Sequence, residues 1–180
     1  ISRNKISFSD IKKHFPVLFI SGMAMGFNWI FLFQAYKYTT VSIATLSYYF
    51  APVIVMAVSP ILFKEKLTIK QIVCFIMATV GMVMIMGANG MGTNSSNLIG
   101  IIFGLAAAVL YATVILLNKS IKSITGIDKT LIQFFVAIFV LTPYVLATTG
   151  INIVSLSSTG LINLLIIGIM HTGICYCLYF

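Results

Sequence analysis

The chain alternates between long apolar runs and short polar segments. The six apolar runs cover residues 16–36, 40–63, 69–88, 98–118, 130–148 and 160–180. Each holds about 20 residues, the length that a helix rising about 1.5 Å per residue needs to cross a hydrocarbon core of about 30 Å. The pattern therefore predicts an all-α integral membrane protein, a multi-pass bundle of six transmembrane helices.

Local signals refine three of these helices. Pro16 is predicted in the first turn of the first helix, where its missing N–H is not needed. Thr68 and Gln71 form a capping-box pattern that opens the third helix. Within the second, Pro52 removes one backbone hydrogen bond and predicts a kink. A carbonyl group freed at membrane depth is tolerated where it lines a cavity or meets a partner.

Composition supports the membrane assignment. Hydrophobic residues make up 60% of the chain and charged residues 8%, whereas soluble domains carry about 25% charged residues. The mean hydropathy of +1.10 agrees. The chain begins with Ile1 and ends at Phe180 within an apolar run, so it is interpreted as an internal fragment of a longer protein.

Charge predicts the orientation in the membrane. Ten of the eleven lysine and arginine residues lie in segments 1–15, 64–70 and 119–129, whereas the connections 89–97 and 149–159 carry no charge. By the positive-inside rule, the three basic segments are cytoplasmic. The predicted location is a plasma membrane, that of a bacterium. Because the net charge of +8 is explained by this topology, no nucleic-acid partner is expected.

The titratable residues argue against catalysis. The three acidic residues, Asp10, Glu65 and Asp128, all lie in the basic segments. The two histidines, His14 and His171, cannot build the clustered carboxylate or histidine sites of membrane enzymes. The sequence therefore predicts a protein that is not an enzyme, with no cofactor and no metal.

Small residues predict close helix packing. Gly100, Gly104 and Ala108 recur at intervals of four in the fourth run, and Gly22 and Gly26 repeat the pattern in the first. Such small-xxx-small ridges let two helix backbones approach closely in a membrane.

Polar residues at membrane depth provide the candidates for a binding site. A stripe on the second helix comprises Ser42, Thr45, Tyr49, Pro52, Met56 and Ser59. Such a stripe either lines a cavity or packs against protein, and the pattern leaves both open. The residues predicted to line a substrate cavity are Asn28, Tyr49, Tyr111 and His171. His171 could exchange protons or donate a hydrogen bond between helices.

The chain resembles EamA-type members of the drug/metabolite transporter superfamily. The motifs are A-x-x-Y-T at Ala35–Thr39, A-P at Ala51-Pro52, E-x-L-T at Glu65–Thr68, and a helix ending in two glycines at Gly81–Gly87. The resemblance implies ten helices in two inverted five-helix repeats, of which this chain holds helices three to eight. Residues 1–88 would be the C-terminal part of the first repeat, 89–97 an outer loop, and 98–180 the N-terminal part of the second.

The resemblance also implies a function. Glu65, held by the start of the third helix and by Lys64 or Lys66, is expected to fasten the cytoplasmic turn in a structural or gating role. The predicted protein is a secondary transporter that exports amino acids or other small metabolites by alternating access. Its partners would be the lipid bilayer and a small-molecule substrate; protons as coupling ion and a homodimer stay open. The alternative is a non-transporting membrane scaffold or partner-binding subunit.

Overall fold

The computed structural model describes residues 8–88, 95–121, 123–148 and 158–168, and all regular structure in these ranges is helical. The helices are α1 (Phe8–Tyr38), α2 (Val41–Tyr48), α3 (Ala51–Phe63), α4 (Ile69–Ala88), α5 (Ser95–Ser120), α6 (Gly126–Thr148) and α7 (Ser158–Ile166). The predicted all-α fold class is confirmed.

Four segments of the described chain are long and apolar enough to cross a membrane. They are Ile11–Tyr38, Val41–Phe63, Ser95–Ser120 and Gly126–Thr148. The predicted third span is helical from Ile69 to Ala88. The sixth is described only as far as residue 168. The multi-pass membrane fold is confirmed, while the count of six helices and the ten-helix repeat stay predictions.

Side-chain caps explain where two helices begin. The Gln71 side chain accepts a hydrogen bond from the Thr68 backbone N–H at 2.8 Å, and the Gln71 N–H donates to the Thr68 hydroxyl at 3.4 Å. The predicted capping box is therefore confirmed, and α4 begins at Ile69, the residue after Thr68. Thr125 and Asp128 form a similar pair at the start of α6: the Asp128 N–H donates to the Thr125 hydroxyl, which donates to the carboxylate at 2.6 Å.

Both proline predictions need adjustment. Pro16 lies inside α1, which begins at Phe8, so its placement in the first turn was wrong. The apolar run begins there, but lysine is a good helix former, and the helix continues through Lys12 and Lys13 beyond the apolar part. Near Pro52 the second span is interrupted between Tyr48 and Ala51, although Tyr49 and Phe50 keep right-handed helical backbone angles. Helix α3 begins at Ala51 with Pro52 in its first turn, and the Phe50 N–H bonds the Ser47 carbonyl three residues earlier, at 3.2 Å, in place of a helical i−4 bond.

Helix α5 lies at the centre of the described bundle. It packs against α1, α2 and α3, and α1 also packs against α6. The α5 ridge of Gly100, Gly104 and Ala108 is buried. A Cβ atom on Gly104 would lie 2.7 Å from the Ser47 Cβ of α2 and 3.2 Å from the Ala44 carbonyl. This is closer than side chains tolerate, so the glycine lets the backbones of α5 and α2 meet.

The glycines of α1 serve a different interface. A Cβ atom on Gly22 would lie 2.6 Å from the Val136 Cβ of α6, and one on Gly26 would lie 2.8 Å from the Val140 Cβ. The α1 glycines therefore bring α1 and α6 into close contact.

The described parts of the three basic segments lie at one end of the bundle. Leu18, near the start of α1, forms a buried cluster with Ile121 and Ile124. The Lys119 ammonium pairs with the Glu65 carboxylate of the α3–α4 turn. This is the arrangement that the positive-inside prediction requires, and we call this end of the bundle the basic end.

Candidate functional site

A cleft of about 360 Å³ lies at the basic end of the bundle, between α3, the α3–α4 turn and α5. Its polar lining comprises Ser59, Glu65, Lys66, Gln71 and Lys119. Its apolar wall comprises Pro52, Val55, Met56, Leu67 and Ile115. Three members of the predicted polar stripe, Pro52, Met56 and Ser59, therefore line a cavity.

Local backbone geometry positions Glu65 in this cleft. Helix α3 ends at Phe63, and Lys64 follows in the left-handed conformation with φ 53° and ψ 33°. A residue in this conformation commonly terminates a helix. The chain turns back here, so that the Glu65 carboxylate meets the last turns of the helix that it has just left.

Three side chains in the cleft form what we call the ion cluster: Ser59, Glu65 and Lys119. The Lys119 ammonium lies 2.5 Å from Glu65 Oε2 and donates to the Ser59 hydroxyl at 2.7 Å. The Ser59 hydroxyl donates to Glu65 Oε2 at 3.1 Å. Lys119 also sits 4.8 Å from the centre of the Phe63 ring, in a cation–π arrangement. The cluster ties the α3–α4 turn to α5.

The partner of Glu65 was not identifiable from sequence neighbours. Lys64 and Lys66 were the predicted partners, and the structure provides Lys119, which is 54 residues away in the chain. Both side chains of the pair stay accessible, Lys119 to 39% and Glu65 to 50%. The pair therefore lies at the mouth of the cleft.

Asn28 is fully buried, and neither polar atom of its amide has a hydrogen-bond partner among the residues that the structure describes. One turn to either side, Met25 packs with Val114 and the Phe31 ring lies 5.9 Å from that of Phe103. Asn28 therefore lies in the interface of α1 with α5. A buried polar group without a partner costs about 1–3 kcal/mol, so such a group needs an explanation.

The two tyrosine candidates flank a third tyrosine, Tyr48. The Tyr48 ring centre lies 5.4 Å from that of Tyr111 and 6.3 Å from that of Tyr49. Tyr111 is half-buried, whereas Tyr49, in the break between α2 and α3, is 58% exposed. These rings form an aromatic group beside the break.

Asn28 and Tyr111 lie at similar depths. Gly100 of α5 contacts Thr39 at the opposite end of the bundle from the cleft. Each of the two candidates lies about three helical turns, roughly 16 Å, from that contact. None of Asn28, Tyr49 and Tyr111 lines the cleft at the basic end, and their place in a substrate cavity stays a prediction. His171 lies outside the described residues.

A buried hydrogen-bond network links α1, α5 and α6, and it was not predicted from the sequence. The Gln133 side chain of α6 is only 2% exposed. Its amide nitrogen donates to the Ser21 hydroxyl of α1 at 2.7 Å and to the Asn118 side-chain oxygen of α5 at 2.6 Å. We call Ser21, Asn118 and Gln133 the amide network. The available signal was an isolated amide inside an apolar run, since polar groups at such positions usually bond across helices.

Lys129 closes the same corner of the bundle. Its ammonium group donates to the Asn118 carbonyl at 3.1 Å and to the Ile121 carbonyl. A cation is favourable there because the last carbonyl groups of a helix have no partner within it. Lys129 therefore caps α5.

Within the described ranges, no three His, Cys, Asp or Glu residues form a group that could hold a metal ion. The expected absence of metal and cofactor stays a prediction.

The sequence is similar to that of known membrane transporters. Residues 1–87 match the EamA-like transporter family. Over 161 residues the chain is 34% identical to the "Uncharacterized transporter YxxF" of Bacillus subtilis (strain 168), an alignment that covers 88% of this chain and 50% of the relative. The chain thus spans about half the length of this curated relative. No solved structure matches.

These matches agree with the resemblance in the sequence motifs. Together with the long apolar helices, they identify a multi-pass protein of a bacterial plasma membrane. Residues 1–87 of the chain form an EamA-like transporter domain, the kind of protein that the sequence motifs indicate.

Proposed function

We propose that the full-length protein is a secondary transporter that exports amino acids or other small metabolites by alternating access. The observation that carries the proposal is the broken second span, whose second half, α3, lines a cleft of about 360 Å³. Small-molecule sites measure roughly 300–1,000 Å³. Discontinuous helices are typical of transporter binding sites, because irregular backbone at membrane depth is tolerated beside a cavity.

The position of the cleft supports export. It lies beside Glu65, Lys66 and Lys119, in the segments that the positive-inside rule assigns to the cytoplasm. A substrate would therefore enter the cleft from the cytoplasm. Transport then requires a second state in which this end closes and the opposite end opens.

Asn28 supports the existence of that second state. Its unpaired amide is an energetic cost in the closed interface of α1 with α5. In a state where this interface opens, the amide would bond to water or to substrate. We propose that Asn28, Tyr111 and Tyr49 face the substrate path in that state, with Pro52 holding the break and Glu65 fastening the cytoplasmic turn.

The alternative function is a membrane scaffold or partner-binding subunit. The glycine contacts at Gly22, Gly26 and Gly104 suit either function, because both need tightly packed helices. A scaffold has no use for an unpaired amide at Asn28 or for the cleft beside α3. Replacing Asn28 by Leu and Tyr49 by Phe separates the two functions, since a scaffold would tolerate both changes.

The test is efflux from cells that express the full-length protein and are loaded with a panel of amino acids and related metabolites. We expect selective efflux above an empty-vector control, and its loss in Asn28→Leu at equal membrane abundance. Efflux of no compound in the panel would contradict the proposal.

A protonophore added to the same cells tests the coupling ion. Collapse of efflux would support protons and make His171 the next residue to replace. Efflux that persists would leave the transporter in place and reject proton coupling.

A further inference from the structure

We infer that the cleft is an entry site for a zwitterionic amino acid with an apolar side chain, whose ammonium group binds Glu65 and whose carboxylate binds Lys119. The inference rests on the proposed export function for its physiological role. It assigns a substrate class and two contact residues to the cytoplasmic cleft.

The ion pair can open to admit such a ligand. Glu65 and Lys119 belong to different elements, the α3–α4 turn and α5, and both side chains are substantially accessible. An ion pair at such a site contributes about 0–1 kcal/mol, so its separation is inexpensive. A zwitterion placed between the two groups supplies each of them with a new partner of opposite charge and leaves the net charge of the cleft unchanged.

Ser59 can form hydrogen bonds both when the Glu65–Lys119 pair is closed and when it is separated by a ligand. Its hydroxyl lies 3.1 Å from the Glu65 carboxylate and 2.7 Å from the Lys119 ammonium. A hydroxyl donates and accepts, so it can bond to either end of the bound amino acid. The polar floor of the site is thus already formed.

The charge of the lining disfavours other ligand classes. The cleft carries one carboxylate, Glu65, and two ammonium groups, Lys66 and Lys119. A cation without a carboxylate would pair with Glu65 and meet two like charges. An anion without an ammonium group would bring its negative charge close to the Glu65 carboxylate and gain no contact from it.

The rest of the lining selects an apolar side chain. Pro52, Val55, Met56 and Ile115 form one continuous wall from α3 and α5. A charged side chain against this wall would lose its hydration without gaining a partner. Methionine is flexible and polarizable, so Met56 can adapt to side chains of different shape. L-leucine is the matching probe.

The experiment is equilibrium binding of radiolabelled L-leucine to purified full-length protein. The competitors are N-acetyl-L-leucine, which lacks the ammonium group, and L-leucinamide, which lacks the carboxylate. We expect both to bind the unaltered protein about 10- to 100-fold more weakly than L-leucine, because each loses one charge-assisted contact.

Two variants assign the two contacts. In Glu65→Gln, the preference for L-leucine over N-acetyl-L-leucine should disappear, while the preference over L-leucinamide stays. In Lys119→Gln, the reverse should hold. Lys12→Gln is the control, since it removes an exposed charge near the same end but outside the cleft and should keep both preferences. If a Gln variant fails to fold, Glu65→Asp and Lys119→Arg keep the charges and should keep both preferences.

Several results would overturn the inference. One is the absence of L-leucine binding; another is an equal loss of affinity for all three ligands in both Gln variants, which would make the pair a structural fastening. Stronger competition by phosphoethanolamine than by L-leucine would assign the cleft to a lipid headgroup. Efflux of another substrate without L-leucine binding would defeat this inference alone, whereas L-leucine binding without any efflux would defeat the proposed export function and keep the site.

Discussion

The two sides of the bundle are built differently. On one side, α1 and α6 meet through Gly22 and Gly26, and the buried amide network ties both helices to α5. On the other side, α3 begins at a helix break and ends at an ion cluster whose charged groups stay accessible. Helix α4 beyond it is exposed along most of its described length.

This difference indicates where the molecule can move. Regions with buried packing and hydrogen bonds open at high free energy, whereas regions with few buried contacts open at low free energy. The α1–α5–α6 side is therefore expected to move as one unit, and the α3–α4 side to move against it, with the break at Tyr49 and Phe50 as the hinge.

The largest expected effect on stability comes from a substitution in the α1–α5–α6 side, where α1 and α6 are in close contact. In Gly22→Ala, the new Cβ would lie 2.6 Å from the Val136 Cβ, and such overpacking typically costs about 1–3 kcal/mol. We expect a lower midpoint of thermal unfolding for the purified full-length protein. Gly81→Ala on α4 is the matched control, since a Cβ there meets nothing within 4 Å. Equal midpoints for both variants would remove the distinction between the two sides.

The amide network should give the next largest effect. Gln133→Met keeps the volume but leaves Ser21 and Asn118 without their shared partner. We expect a loss of about 1–2 kcal/mol, the scale of hydrogen bonds between membrane helices. Thr142→Val is the control on the same helix, because its hydroxyl bonds the Ile138 carbonyl of α6 itself. An unchanged free energy of unfolding in Gln133→Met would show that the network does not hold the three helices together.

The contrast between the two sides also shows what the sequence could predict. The helical spans, the three basic segments at one end, the capping box at Thr68 and the special role of Pro52 all depend on residues close together in the chain. The partners of Gln133 and Glu65 depend on which helix faces which, and that is set by packing over the whole bundle. Pro16 was misplaced for a related reason: hydropathy marks where the membrane begins, whereas helix propensity lets α1 begin earlier.

Asn28 sharpens the comparison because stability and function should respond in opposite directions. Asn28→Leu removes an amide that is buried without a partner, so the free energy of unfolding should be unchanged or rise by about 1 kcal/mol. Efflux should fall, because the opened interface would lose its polar group. A variant with lower stability and unchanged efflux would instead show that the amide has a partner in the resting state and no part in transport.

The smallest effect on stability is expected at the ion cluster, and this is what makes it informative. Glu65→Gln removes one charge of an accessible pair, and such pairs contribute about 0–1 kcal/mol. Salt screens charges at accessible sites, so the difference in unfolding midpoint from the unaltered protein should shrink further as salt is raised from about 0.1 M to about 1 M. Lys12→Gln, which removes a different exposed charge near the same end, provides the control for the general effect of charge. If Glu65→Gln destabilised the protein as much as Gly22→Ala, the ion cluster would contribute to stability as the α1–α5–α6 side does. Opening the α3–α4 turn would then cost a large free energy. If the stability of Glu65→Gln changed by no more than this small amount while its ligand preference changed, the ion pair would serve ligand recognition rather than folding.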